Sequence, residues 1–526
     1  MKPVDPSQAD RLLARLAASR AALIGAFVLT AFGVKLWLLA SYANATPFWD
    51  EWDAIAANTF VPYVDSKLSL QQMFVAQNEH RMVTMHLLSL ALLAANGLWD
   101  PVLQMIVNAG IHIGLGVFIL TVFGRQLDRA SFAMLTLLVL AVIAAPFASE
   151  SLLFSIQTAF YCVELLGCAA LYWLLKGQPR AQLLGVALAS AAFLSLSAGA
   201  LVFVAAAAIA MARRILGVDR GAWPWLFAIL MLVGCALCIA VTPTIQAHKI
   251  HAAHSVDEFL SALFGLLGWP VRPDAFGWEE SPLAALPIFG VLALNGPTIA
   301  LAIRMLRKPP PAQDLRWTLL AFAIWTVLIL AAIAYGRAGL AGSIRYRDFC
   351  ALNVVTNFLC LISVVEGSGR RILQFGWLGL IACGLIGQAM HIFPGELQAR
   401  YQTSLQQEQN VKAFLAEGKF PSGAGAQRLS LPYPSAKRLA GLLSDERVRS
   451  FLPSNLQAAI AAHHRPDGSL TVDDRLGWLR SGLLAAGPYL TAAGALSMLF
   501  ALLAGWRGRR PGTPWRKAAS ADRHAG

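Results

Sequence analysis

The feature that most constrains this chain is an apolar run of about 20 residues, the length that crosses a bilayer as a helix, repeated along its length. The first run covers about 21–41. Others fall near 101–123, 131–148, 159–175, 181–196, 198–212, 223–242, 283–303, 317–335, 349–365, 372–393 and 482–505. By the same length criterion the chain crosses a membrane about twelve times. The two runs around 181–212 are short, are joined by LSLSAGA, and read equally as one bent element. Only 13% of the residues are charged, against about a quarter in soluble domains. The expected fold class is therefore all-α, a polytopic integral membrane protein.

Charge orders these runs. With the N-terminus cytoplasmic, the inner loops are GRQLDR, KGQPR, MARRILGVDR, RMLRKPPPAQDLR, EGSGRR and the tail WRGRRPGTPWRK, and each is basic, as the positive-inside rule requires. The net charge of +13 is thus spread over short loops, which excludes a nucleic-acid partner. The apolar segment 81–97, RMVTMHLLSLALLAANG, would invert the later loops if it crossed, so it is expected to lie at the outer interface. Arg11, Arg15 and Arg20 lead into the first span without a cleavage-like site, so no removable signal peptide is expected. All seven cysteines fall in apolar runs, and the Cys235/Cys238 pair lacks the partners of a metal site.

The resulting division is a cytoplasmic N-terminus over 1–20, a membrane core over 21–393 with outer loops 42–100 and 243–282, an outer segment 394–481, a last span 482–505 and a basic tail 506–526. The outer end collects FWDEWD, NEHR, SESLLFSIQ, HKIHAAH, RPDAFGWEE and GRAGLAGSIRYRD. Asp50, Glu51 and Asp53 follow directly on the first span. On a helix, Asp50 and Asp53 share a face while Glu51 turns aside. A partly desolvated carboxylate there is a general-base candidate for a hydroxyl. Trp49 and Trp52 suit a headgroup belt and equally suit stacking on a sugar. Asn78, Glu79, His80 and Arg81 read as sugar ligands, as a brace for the acidic loop, or as a helix N-terminus. Arg337, Arg345 and Arg347 lie on the side that arginine avoids, where a lipid phosphate is a natural ligand or, for Arg347, the adjacent Asp348. His248, His251 and His254 would line one side of a helix near Asp257 and Glu258, leaving a metal open. His112 and Glu164 are ionisable groups inside spans.

The Asp50-Glu51-Trp52-Asp53 motif after the first span, followed by an interfacial segment, resembles the GT-C class of membrane glycosyltransferases. Trp49-Asp50, Asn78 to Arg81, and Gly336-Arg337 with Arg345-Tyr346 are similar to bacterial members with WD, NEHR and GR…RY motifs. The likeness covers the first hundred or so residues and the 335–348 segment. It implies a polyprenyl-phosphate sugar donor, a glycan or lipid acceptor, an inverting displacement on the periplasmic face of the bacterial inner membrane, and no firm cofactor, with a divalent cation left open. Asp50 would be the base, with Asp53 or Glu51 orienting it; Arg337 and Arg345 would bind the departing phosphate; Trp49, Trp52 and Asn78 would shape the sugar site. A glycan polymerase or ligase and a lipid-linked sugar transporter are the alternative readings.

Overall fold

The computed structural model describes residues 19–271, 286–421, 429–464 and 474–507. The N-terminal Arg11 and Arg15, most of the loop WPVRPDAFGWEE with Arg272, and the tail beyond 507 lie outside them. The described chain is all-helical. Its first helices are α1 (Arg20–Tyr42), α2 (Val83–Asn96), α3 (Pro101–Gly124), α4 (Arg129–Ala144), α5 (Thr158–Leu174), α6 (Pro179–Ser195) and α7 (Leu201–Ile215). Then come α8 (Trp223–Ala240), α9 (Val256–Leu267), α10 (Leu286–Arg307), α11 (Leu315–Gly336), α12 (Arg347–Val364), α13 (Arg370–His391) and α14 (Leu397–Glu417). The short α15 (Ala436–Ser444), α16 (Glu446–Phe451) and α17 (Ser454–His464) precede the long α18 (Gly477–Arg507).

Ten helical segments among the described residues are long and apolar enough to cross a membrane, so the chain is a multi-pass membrane protein. Two expected runs are helices outside that ten: α6, of 17 residues, and α10, of 22 residues. The 181–212 region is two helices rather than one. A 3₁₀ turn, Ser197–Ala200, separates α6 from α7, and Gly199 sits so close to α6 that an added Cβ would meet Ala192 C at 2.3 Å. The segment expected at the outer interface is α2, whose 14 residues reach about 21 Å at 1.5 Å each, short of the hydrocarbon core.

Large apolar side chains stay exposed on the outward faces, including Leu230, Val233 and Leu237 of α8 and Tyr489 and Leu496 of α18, as lipid contact allows. The first and last helices pack through small residues. A Cβ on Gly33 would meet Thr491 N at 2.3 Å, and one on Gly494 would meet Thr30 N at 2.4 Å. Such close backbone approach is the usual source of helix association in lipid.

The two ends of the bundle differ. At one end Asp128 binds Arg370 at 2.7 Å and Arg371 at 2.5 Å, Arg20 donates to Leu127 O at 2.6 Å, and Arg304 binds Glu366 at 2.6 Å. The basic loops therefore share one end, as their charge requires. The other end gathers the acidic first loop and the segment after α13. That segment does not stand apart from the loop. α14 continues α13 through a kink at Phe393, and Val411, Phe414, Leu439 and Phe451 share one core with Trp52, Phe60, Met85 and Trp99.

Inside the bundle, Lys35 Nζ lies 3.2 Å from His112 Nδ1. His112 stacks on Tyr161 at 4.5 Å, and its Nε2 is 4.0 Å from Asp348 Oδ1. Glu164 is 1% exposed, and neither of its oxygens has a hydrogen-bond partner. The two ionisable residues noticed in the sequence thus belong to a cluster with Lys35 and Asp348.

Candidate active site

The FWDEWD stretch turns sharply at Trp49, which takes a left-handed φ of +47° and donates its N–H to Pro432 O at 2.7 Å. The chain then enters a π-helix, Glu51–Phe60. The three carboxylates have different hydrogen-bond partners.

Glu51 points inward. It is 1% exposed, accepts from Phe48 N at 2.7 Å and Ser155 N at 2.9 Å, and also binds Ser155 Oγ at 2.5 Å. Burial lifts its pKa to about 7, although these donors favour the carboxylate. It ties the first outer loop to the turn before α5, a structural role rather than the orienting one expected. Asp53 points to the outer segment. It accepts from Arg438 Nη2 at 2.8 Å and Nε at 3.1 Å and from the Tyr433 hydroxyl. It too does not orient Asp50. Trp52 is fully buried, donates to Pro47 O at 2.9 Å and packs edge-on against Trp99; it is core and cannot stack on a sugar. Trp49 is 49% exposed and keeps that possibility.

Asp50 is half-buried and lies outside both of these networks. Asn78 Nδ2 donates to it at 3.4 Å, from a backbone held at φ +54°. Burial raises its pKa above the ordinary carboxylate value, with the nearby Arg345 and His248 charges and the Asn78 bond opposing and Asp53 adding to it. Its proton affinity is thereby increased while it still faces positive charge.

The NEHR residues divide. Glu79 Oε2 binds Arg337 at 2.8 Å and Oε1 lies 2.5 Å from His248 Nδ1. Burial would raise the Glu79 pKa, but the His248 bond and the Arg337 charge outweigh it and hold the carboxyl below its usual range. His80 faces Ser197 Oγ at 3.1 Å, and burial lowers its pKa to about 4, so it is neutral at pH 7. Arg81 donates to Phe74 O at 2.6 Å and Val241 O at 2.5 Å. These contacts make His80 and Arg81 braces from the start of α2 to the turn before α7 and the end of α8, rather than ligands.

The two expected phosphate arginines also differ. Arg337 is engaged by Glu79 and sits 3.0 Å from His248 Nδ1. Arg345 is loosely held: Glu150 is 3.8 Å away, its guanidinium lies 5.5 Å from the centre of the Tyr346 ring, and its buried Nε has no hydrogen-bond partner. Tyr346 itself is 8% exposed, with the Arg345 guanidinium over its ring. Arg347 donates to Phe147 O at 3.3 Å.

The three histidines do not converge. His248 and His251 lie in a 3₁₀ helix, Gln246–His251, and His254 lies beyond it, 3.4 Å from Ile250 O. Among the described residues no group of three His, Cys, Asp or Glu side chains is arranged to hold a metal ion. Sequence reasoning missed Glu150, Tyr433 and Arg438. Nothing local marks them; they matter because Arg345 and Asp53 reach them across the fold. The chain matches no protein family model, no curated protein and no solved structure.

Proposed function

We propose that the chain is an inverting glycosyltransferase that moves a sugar from a polyprenyl-phosphate carrier to an acceptor hydroxyl, on the periplasmic face of a bacterial inner membrane. The observation that carries the reading is the pairing of a half-buried carboxylate of raised pKa, Asp50, with an under-coordinated arginine, Arg345, whose charge it feels. A base and an anion site within electrostatic reach are what a displacement at a phosphorylated anomeric carbon needs.

In this reaction Asp50 takes the acceptor O–H proton. The acceptor oxygen bonds to the anomeric carbon as the bond from that carbon to the phosphate oxygen breaks. The electron pair leaves on the phosphate, where Arg345 balances the developing charge. Arg337, already engaged by Glu79, acts at longer range. Attack opposite the leaving group inverts the centre, and no covalent intermediate with the protein forms. Asn78 fixes the Asp50 carboxylate, and Trp49 presents its exposed ring to the sugar.

The test is transfer by purified full-length protein in lipid nanodiscs, supplied with radiolabelled polyprenyl-phosphate hexose and a membrane-glycan extract. Asp50→Asn should slow transfer by about 10²–10⁴-fold and keep donor binding, whereas Arg345→Gln should weaken donor binding as well. Equal donor binding and transfer in both variants and the parent would remove the reading.

A further inference from the structure

Beside the FWDEWD turn, lined in part by Phe48 and Glu51, lies a cavity of about 200 Å³. Its apolar walls include Tyr42, Phe48 and Phe154, and its polar lining includes Asn44, Thr403, Ser404 and Arg400. Phe48 and Phe154 meet edge to face at 5.5 Å. The volume is below the roughly 300 Å³ at which pockets for drug-sized ligands begin, so it suits one ring rather than an extended chain. Aromatic faces beside hydroxyl and amide groups suit a sugar, which presents apolar C–H faces and an equatorial belt of hydroxyls.

Arg400 is the cation of this cavity, and Glu150, Glu51 and Glu396 act on it at longer range. Arg400 donates to Leu153 O at a long 3.5 Å, and its guanidinium lies 5.7 Å from the centre of the Phe48 ring. No carboxylate of the described residues lies within ion-pair distance of it. Glu51 also lines the cavity, but its oxygens are occupied by Phe48 N and by Ser155 N and Oγ. A guanidinium with free donors beside an aromatic wall is suited to an anionic oxygen pair.

We infer that this cavity binds a single sugar ring carrying a negative charge, with the anionic group on Arg400 and the ring against Phe48 and Phe154. The choice of a sugar rests on the glycosyl-transfer reading; the choice of an anion rests on Arg400 alone. A carboxylate, as in a uronic acid, and a phosphate, as in a sugar phosphate, share the chemistry that Arg400 recognises.

The experiment measures equilibrium binding of glucuronate, glucose 6-phosphate, glucose and acetate to full-length protein in nanodiscs, by calorimetry and ligand-observed NMR. At least one charged sugar should bind about tenfold tighter than both glucose and acetate, and the stronger of the two names the anion. Arg400→Gln should erase that preference, Arg400→Lys should keep part of it, and Ser404→Trp, which fills the cavity, should block binding. Equal binding of charged and neutral sugar, binding of acetate as tight as glucuronate, or a preference lost in Arg345→Gln but kept in Arg400→Gln would each overturn the assignment. Because binding is read without turnover, charged-sugar selectivity in a protein that transfers nothing would keep this site and refute the transferase reading.

Discussion

Glu79 binds the Arg337 guanidinium at 2.8 Å across 258 positions of sequence, and its second oxygen meets His248. One carboxylate thereby fastens the turn before α2 to the segments after α8 and α11. Removing it leaves Arg337 and His248 facing each other. Glu79→Gln should destabilise the protein by about 2 kcal/mol, the range of hydrogen bonds to charged groups. The pH dependence has a defined sign. The folded pKa lies below the ordinary value of 4.5, so this stabilisation is complete above 4.5 and is lost as pH falls through the folded pKa. Thermal unfolding in nanodiscs from pH 3 to 6 should show a parent curve that converges on the variant at the acid end.

Glu51 has the opposite sign. Its folded pKa of about 7 stands above the ordinary 4.5. The folded state then holds a proton that the unfolded chain has released, and stability declines as pH rises from 4.5 to 7. At 1.36 kcal/mol per pKa unit the decline is about 3 kcal/mol. Glu51→Gln, which carries no titrating group, should flatten that window in a comparison of unfolding midpoints at pH 5 and 7.5.

Trp49 and Trp52 flank the same acids and should respond differently. Trp52→Ala opens a hole in the core shared with Trp99 and Phe60, and should cost about 3–5 kcal/mol. Trp49→Ala removes an exposed ring and should leave the unfolding midpoint unchanged while weakening donor binding. An unfolding midpoint that drops equally in both would contradict the assignment of Trp52 to core and Trp49 to site.

Asp50→Asn should slow transfer by about 10²–10⁴-fold, the usual contribution of a general base. In the parent protein the acid limb of the rate profile should fall at a pH above the ordinary carboxylate value, because burial raises the Asp50 pKa. A limb at or below pH 3.8, the ordinary value for this group, would point to a different base.

Packing of α1 on α18 depends on absent side chains. Gly494→Leu drives carbon toward Thr30 N, where even a Cβ would sit at 2.4 Å. Overpacking of this kind costs about 1–3 kcal/mol. Gly25→Leu, with no atom within 4 Å of an added Cβ, is the matched control on the same helix pair and should unfold with the parent in detergent.

Much of the architecture was legible because helix length and loop charge are local properties. The run at 21–41 became α1 within a residue at each end, and the segment 81–97 became the short α2. The boundary placed between 393 and 394 lies at the kink around Phe393; what was not legible is that α14 beyond it shares a core with the first outer loop. At the site, the sequence located the right loops and left their members undivided. His80 and Arg81 look like ligands in NEHR, yet their partners are Ser197 and Val241, more than 100 positions away.

Hydrophobic period and charge placement by themselves determined that this chain is a helical, multi-pass membrane protein with its polar chemistry at one end, because each of those properties is decided within a span or a loop. Which partners each acid meets was decided only in three dimensions. Asp50, Glu51 and Asp53 are chemically alike and nearly adjacent, and what separates them is what each meets: Asn78 and the Arg345 field, the buried Ser155, or Tyr433 and Arg438. The same holds for the arginines. Arg337 is neutralised by Glu79, whereas Arg345 and Arg400 keep free donors, and a guanidinium's capacity for a ligand depends on the partners the fold brings to it.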